Sequence, residues 1–383
     1  GFDVWKRASM EEGGKEGEKK RMGRGTLQDV GGGLTQTTTL LCLLCLLGSI
    51  PSASPFALPP PSSLSPLHRP GLFLPTSSLA NQHPCRRGWT CALERADSRG
   101  STPVGVGRGN LRLLEGVPFA LGMAKRRVWV WTPDGYESGD ESFPVVYCQD
   151  GQNKMDKNTS WLQADWQLGR AASILQDEGV IVPTIFVLIE NAGGLRFIEY
   201  ADSMLGNAYV NWMCDTLKPY VDDRFRTSKR PESTFAMGSS MGASISFLAA
   251  YQRPDVFGGA CCISPAFQTN TIASVLFDFE GFASNKYEKM KIYIDNGGST
   301  KEKEVPFFDP RDGLQRAGYW WLDTQLQPSI DAMLFALESR GLTRASGRLK
   351  YIKFPGARHN ENAWRRRVRE PLTFILSQSE GMR

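Results

Sequence analysis

The chain has 383 residues, 41% of them apolar and 22% charged, with a formal net charge of +5. Residues 1–110 hold 13 Lys and Arg against 8 Asp and Glu, so the remainder carries 32 of each sign and is electrically balanced. That remainder has no basic stripe and no aromatic–basic interleaving of the kind that stacks bases, which argues against a nucleic-acid surface.

Residues 1–105 read as a leader and residues 106–383 as one folded domain. Residues 1–21 are charged and Gly-rich. From Met22 onward the order is that of a secretory signal: Arg24, an apolar core from Leu40 to Leu47, then the small residues Gly48, Ser52, Ala53 and Ser54. The core, about 8 to 11 residues, is too short to span a bilayer, so no membrane span is expected in the mature protein. From Pro51 to Leu93 there is no acidic residue, and Ser and Pro dominate, as in an organelle transit peptide. A signal followed by such a segment resembles the bipartite plastid leader of algae with secondary plastids. Ordinary secretion stays open as the other destination.

Four of the eight cysteines, Cys42, Cys45, Cys85 and Cys91, lie in the leader. Cys148, Cys214, Cys261 and Cys262 fall on apolar runs and are expected as small buried residues. The body contains no C-x-x-C or H-x-H spacing, so no metal site is expected.

The body alternates strand-like and helix-like runs. Strands are expected at Arg127–Trp131, Phe143–Cys148 and Thr184–Leu188, the last short and wholly apolar as a strand covered on both faces should be. Helical spacing marks Gln163–Gln176 and Asn211–Val221. A strand at Ser233–Met237 leads into a helix at Ala243–Tyr251. Strands at Gly259–Ile263 and Lys291–Ile294, a helix at Ile330–Ser339, a strand at Leu349–Phe354 and a helix at Ala363–Ser377 complete the series. The run Arg365-Arg366-Arg367 reads as the solvated face of that last helix. This alternation predicts an α/β fold, a mostly parallel sheet with helices on both faces. No GxGxxG and no Walker-type loop is present, so no nucleotide cofactor is expected.

Between the Ser233 strand and the Ala243 helix lies Gly238-Ser239-Ser240-Met241-Gly242, a Gly-x-Ser-x-Gly. A strand-to-helix turn this tight lifts the serine hydroxyl above the sheet, and glycines remove the β-carbons that would clash in it. Outside the leader, whose histidines are His68 and His83, the chain has a single histidine, His359, 119 residues beyond Ser240. A serine nucleophile needs a base, and the order serine, acid, histidine puts that base on a late loop. The loop at Asp150-Gly151-Gln152-Asn153 follows an apolar strand and can aim a backbone N–H at a developing oxyanion. The N–H of Met241 would be the second donor. Arg196 either lines a pocket or forms a structural pair with Glu199. Trp320, within Tyr319-Trp320-Trp321, either walls a pocket or packs on the following helix.

Taken together, Asp150-Gly151-Gln152-Asn153, Arg196-x-x-Glu199-Tyr200, Gly238-Ser239-Ser240-Met241-Gly242, Pro254-Asp255-Val256-Phe257-Gly258 and His359-Asn360-Glu361 with Ala363-Trp364 resemble the family named "putative esterase". Esterase D, enterochelin esterases, feruloyl esterases and mycolyltransferases belong to it, and the enterochelin esterase branch looks nearest. The similarity runs from about Arg127 to Leu376. It implies an α/β-hydrolase fold, no cofactor, a small-molecule ester as substrate and a Ser–acid–His triad. By similarity Ser240 is the nucleophile, His359 the base, and Gln152 and Met241 the oxyanion donors.

The acid should follow the strand at Lys291–Ile294. Glu302 is preferred over Asp295, because a weakly similar stretch in the mycolyltransferases carries a glutamate after a Gly-containing loop; Glu304 and Asp309 are further candidates. The expected function is a serine carboxylic ester hydrolase acting on a small or a sugar- or siderophore-type ester. An acyltransferase using the same acyl-enzyme, and a non-catalytic binding domain on this scaffold, are the competing readings.

Overall fold

The computed structural model describes residues 102–120, 122–160, 163–298 and 320–377, with only the backbone of Trp320 and Trp321. Residues 1–101 of the leader and the candidate acids Glu302, Glu304 and Asp309 lie outside the described residues.

Eight strands form one sheet: β1 (Asn110–Leu113), β2 (Val128–Thr132), β3 (Val145–Gln149), β4 (Ile185–Ile189), β5 (Thr234–Ser239), β6 (Gly259–Ile263), β7 (Lys291–Asn296) and β8 (Leu349–Lys353). Their spatial order is β1-β2-β4-β3-β5-β6-β7-β8. The β1–β2 and β2–β4 pairs are antiparallel, and every pair from β4–β3 to β7–β8 is parallel. The helices in chain order are α1 (Leu168–Asp177), α2 (Arg196–Glu199), α3 (Met204–Trp212), α4 (Lys218–Arg224), α5 (Met241–Gln252), α6 (Thr269–Phe277), α7 (Phe279–Ala283), α8 (Trp320–Ser339), α9 (Glu361–Arg367) and α10 (Arg369–Leu376). A π-helical turn, Met213–Leu217, joins α3 to α4.

Period-two alternation divides the central strands between two cores, one per face. Val145, Tyr147, Ala236, Ala260 and Cys262 face one core, which also takes Tyr209 of α3, Ile245 of α5 and Ile330 of α8. Val146, Cys148, Phe235, Met237 and Cys261 face the other, with Leu168 of α1 and Leu372 of α10. All five residues of β3, β4 and β6 are buried, as in a parallel sheet covered on both sides. Cys148, Cys214, Cys261 and Cys262 are buried free thiols. Burial pushes the Cys148 thiol up to about 12, so it packs as a small apolar group.

The expected strands are present within one or two residues, and Gly259–Ile263 coincides with β6. Three features depart from the sequence reading. β1 was not expected: its alternation, Leu111 and Leu113 against Asn110 and Arg112, is only four residues long, and none of the four is fully buried. α8 starts ten residues before Ile330, because Pro328 sits inside the helix rather than before it. The arginine run is not a solvated face: Arg367 is buried against Asp295 at 3.2 Å and Arg365 pairs with Asp165 at 3.0 Å, leaving only Arg366 exposed.

Candidate active site

In an open parallel sheet, ligands reach the crevice beyond the carboxyl ends of the strands. Ser240 stands there, between the last residue of β5 and the first of α5, with φ 56° and ψ −128°. That conformation belongs to glycine, and a serine held in it is strained. The surrounding bonds enforce it. Ser240 N–H donates to the Ile263 carbonyl at 3.0 Å, and the Ser240 carbonyl accepts from Ala243 at 3.1 Å and Ala266 at 3.2 Å. Both glycines of the motif are sterically required. A β-carbon on Gly238 would strike the backbone of Gly242, and one on Gly242 would lie 2.8 Å from Asp150 Oδ2 and 3.2 Å from Gln149 Cβ. The first N–H groups of α5, Met241 among them, have no acceptor within the helix.

Asp150 follows β3 as Ser240 follows β5, in a left-handed backbone (φ 53°). A 3₁₀ turn, Gly151–Asn153, follows and carries Gln152. Asp150 is buried, and its carboxylate accepts three hydrogen bonds from two residues. Arg196 binds both its oxygens, Nε to Oδ1 at 2.6 Å and Nη2 to Oδ2 at 2.8 Å, and Asn191 Nδ2 donates to Oδ1 at 2.7 Å. Burial works against its ionisation, but the Arg196 charge and bonds outweigh it and hold the Asp150 carboxyl below its ordinary range. Asn191 N–H also donates to Gln152 Oε1 at 3.3 Å. The Arg196–Glu199 pair considered from sequence does not form. Glu199 takes Arg126 through two bonds of 2.8 Å instead.

His359 lies on the loop after β8. That loop is laced to the end of β7: Phe354 N–H donates to the Asn296 carbonyl and Gly298 N–H to the Ala357 carbonyl, each at 2.8 Å. Asn360 then caps α9, its Oδ1 accepting from Ala363 N–H at 3.0 Å. The Trp364 indole meets the His359 ring edge-on, 5.0 Å between centroids. His359 Nδ1 lies 2.8 Å from Oδ1 of Asp323, a carboxylate with no solvent exposure. A carboxylate accepts only, so Nδ1 carries the proton and Nε2 keeps its lone pair. Asp323 sits in the first turn of α8, where the helix dipole favours negative charge. Asn296 Nδ2 donates to its carbonyl at 2.8 Å and ties that turn to β7.

Asp295 therefore does not occupy the position expected of it. It lies in a buried cluster of its own, accepting from Ser264 N–H at 3.2 Å and Tyr293 Oη at 3.0 Å and pairing with Arg367, while His359 takes Asp323. Burial outweighs Arg367 here and pushes its carboxyl up to about 6. Sequence reasoning missed Asp323 because it started α8 at Ile330. The spacing Leu322, Leu326, Ile330, Met333, Leu337 would have carried the helix back across Pro328 to Asp323. Trp320 opens α8, but its side chain lies outside the described residues.

A twisted sheet with this order, a strained serine at the end of β5 and a histidine after β8 define an α/β-hydrolase. The family model described as "Putative esterase" matches residues 123–322, just over half of the chain. The chain belongs to that family. A solved ferulic acid esterase shares the fold at 14% identity, with a TM-score of 0.51 over 70% of this chain and 98% of that one. Ferric enterobactin esterase (Fes) from Salmonella typhimurium superposes with a TM-score of 0.49 at 17% identity, over 72% of this chain and 61% of its own. The uncharacterized protein YbbA of Bacillus subtilis (strain 168) is 24% identical over 162 residues, 39% of this chain, and the match spans 61% of that relative's length.

Proposed function

We propose that the chain is a serine carboxylic ester hydrolase with Ser240 as nucleophile, His359 as base and Asp323 as the residue that orients it. The observation that carries this reading is the His359–Asp323 bond, held beyond the end of a sheet whose β5 runs directly into a serine with positive φ. Ser240 Oγ attacks the ester carbonyl while Nε2 of His359 takes its proton. Asp323 keeps the ring in the tautomer that can do so and stabilises the imidazolium. The tetrahedral oxyanion rests on the N–H groups of Met241 and Gln152. The imidazolium then protonates the departing alkoxide. Water, deprotonated by the same histidine, cleaves the acyl-enzyme. The substrate is a small-molecule ester, and no step calls for a cofactor.

A fluorophosphonate probe tests the assignment. It should label the wild type and leave Ser240→Ala unlabelled. Equal labelling of Ser240→Ala, for example at the neighbouring Ser239, would sink the assignment.

A further inference from the structure

Of the ten large apolar residues exposed among the described residues, five fall within eleven positions: Leu195, Phe197, Ile198, Met204 and Leu205, exposed by 46% to 83%. A soluble surface scatters such residues, and a cluster marks a contact site. The backbone beneath this one is fixed at both ends. On the side of β3, Arg196 and Asn191 bind Asp150, and Tyr200 Oη accepts from Asp150 N–H at 3.3 Å. On the side of β6, Asp202 accepts from Thr271 Oγ1 at 2.8 Å, and the Asp202 carbonyl accepts from Asn270 Nδ2 at 3.0 Å. In the sheet, β5 lies between β3 and β6. The segment 191–205 thus spans the strand that ends in Ser240. A β-carbon on Gly242, two residues past that serine, would lie 3.7 Å from the Tyr200 ring.

Resting on the ester hydrolase reading, we infer that this segment is the acyl-binding rim of the site, and that the substrate is an ester whose acyl group is a medium or long apolar chain. Two observations select that chemistry. The exposed side chains flanking Arg196 are apolar. The Arg196 guanidinium, the one cation of the segment, has both arms on Asp150, so it is already engaged where an anionic catecholate or a sugar acid would need it. An alkyl chain leaving the acylated Ser240 asks for apolar contact alone.

The experiment compares p-nitrophenyl acetate with p-nitrophenyl octanoate, both monomeric, on the full chain. The wild type should prefer octanoate in kcat/KM by roughly tenfold or more. Phe197→Ser with Ile198→Ser should reduce that preference several-fold, since both side chains are half-exposed and support no core. A second measurement needs no variant: an octyl fluorophosphonate should inactivate the wild type faster than its ethyl counterpart. Hydrolysis of acetate without preference for octanoate would overturn the inference and leave the hydrolase reading standing. An unchanged preference in the double variant would overturn it as well. A preference seen only with phosphatidylcholine vesicles would make the patch a membrane-contact surface and overturn the acyl-chain assignment. Absence of both ester turnover and fluorophosphonate labelling would remove the hydrolase reading itself, and this inference with it.

Discussion

Asp323 and His359 are 36 positions apart in the chain and 2.8 Å apart in space, and the carboxylate has no solvent exposure. Asn in place of Asp323 keeps the shape but reverses the tautomer preference of the imidazole. Asp323→Asn should lower kcat by about three to four orders of magnitude with little change in KM. Asp295→Asn should keep kcat within about threefold of the wild type. Steady-state kinetics on one short-chain ester decides, and the reverse ranking would return Asp295 to the role of acid.

Gly297 backs the same pair. A β-carbon there would collide with Asp323 Oδ2 and the Ala357 carbonyl, the second of which belongs to the histidine loop. Gly297→Ala should cost about a hundredfold in kcat, because a displacement near 1 Å of a positioned group costs that much. A variant with an unchanged kcat would show that the loop yields without moving the acid.

Asp150 precedes the turn that carries Gln152, one of the proposed oxyanion donors. Asp150→Asn leaves Arg196 without its counter-charge and should destabilise the fold by about 3 kcal/mol, read from denaturant titration. Turnover should fall with it, through the Gln152 turn. Because the Asp150 carboxyl is held below its ordinary value, its contribution is present at neutral pH and is lost as pH falls through the lowered value. The gap between wild type and Asp150→Asn should therefore close in acid.

Asp295 titrates in the opposite sense. Its carboxyl, ordinarily at 3.8, is raised to about 6, so the fold favours the protonated form. The contribution is fully present below pH 3.8 and is lost as pH rises through about 6. The wild type should accordingly lose melting temperature relative to Asp295→Asn between pH 4 and pH 7. A gap that stays constant across that range, measured by thermal scans at matched ionic strength, would contradict the raised value.

The leader remains a proposal from composition, and N-terminal sequencing of native protein should begin beyond Ala53. The boundary of the packed body can be placed closer. Val106 is buried, and its carbonyl accepts from the Trp131 indole at 2.8 Å. A chain shortened to Thr102 should keep the melting temperature of the longest form, whereas one shortened to Asn110 should lose several degrees by exposing Trp131.

Patterns of short period were readable in the sequence, and contacts of long range were not. β3 to β6 follow from apolar runs bounded by turn residues, and the elbow from two glycines around a serine. His359 stood out because no other histidine lies in the body. Asp323 did not, since its contact with His359 depends on a helix that runs through Pro328. Arg196 was noticed, but its partner was misjudged: a carboxylate three positions away in the sequence lost to one 46 positions away that fits both arms of the guanidinium. Arg367 was assigned to solvent because neighbouring arginines suggest it, while the helix turns the third of them onto β7.

Three adjacent parallel strands, β3, β5 and β6, are each followed directly by a non-glycine residue with positive φ: Asp150, Ser240 and Ser264. Asp150 and Ser264 hold partners that glycine would forfeit, but at Ser240 glycine would ease the backbone, at a gain on the order of 1 kcal/mol. Evolution toward a sturdier molecule therefore has an open and simple route at Ser240, and taking it would abolish the proposed chemistry. The serine marks where thermal robustness and reactivity pull the same codon in opposite directions.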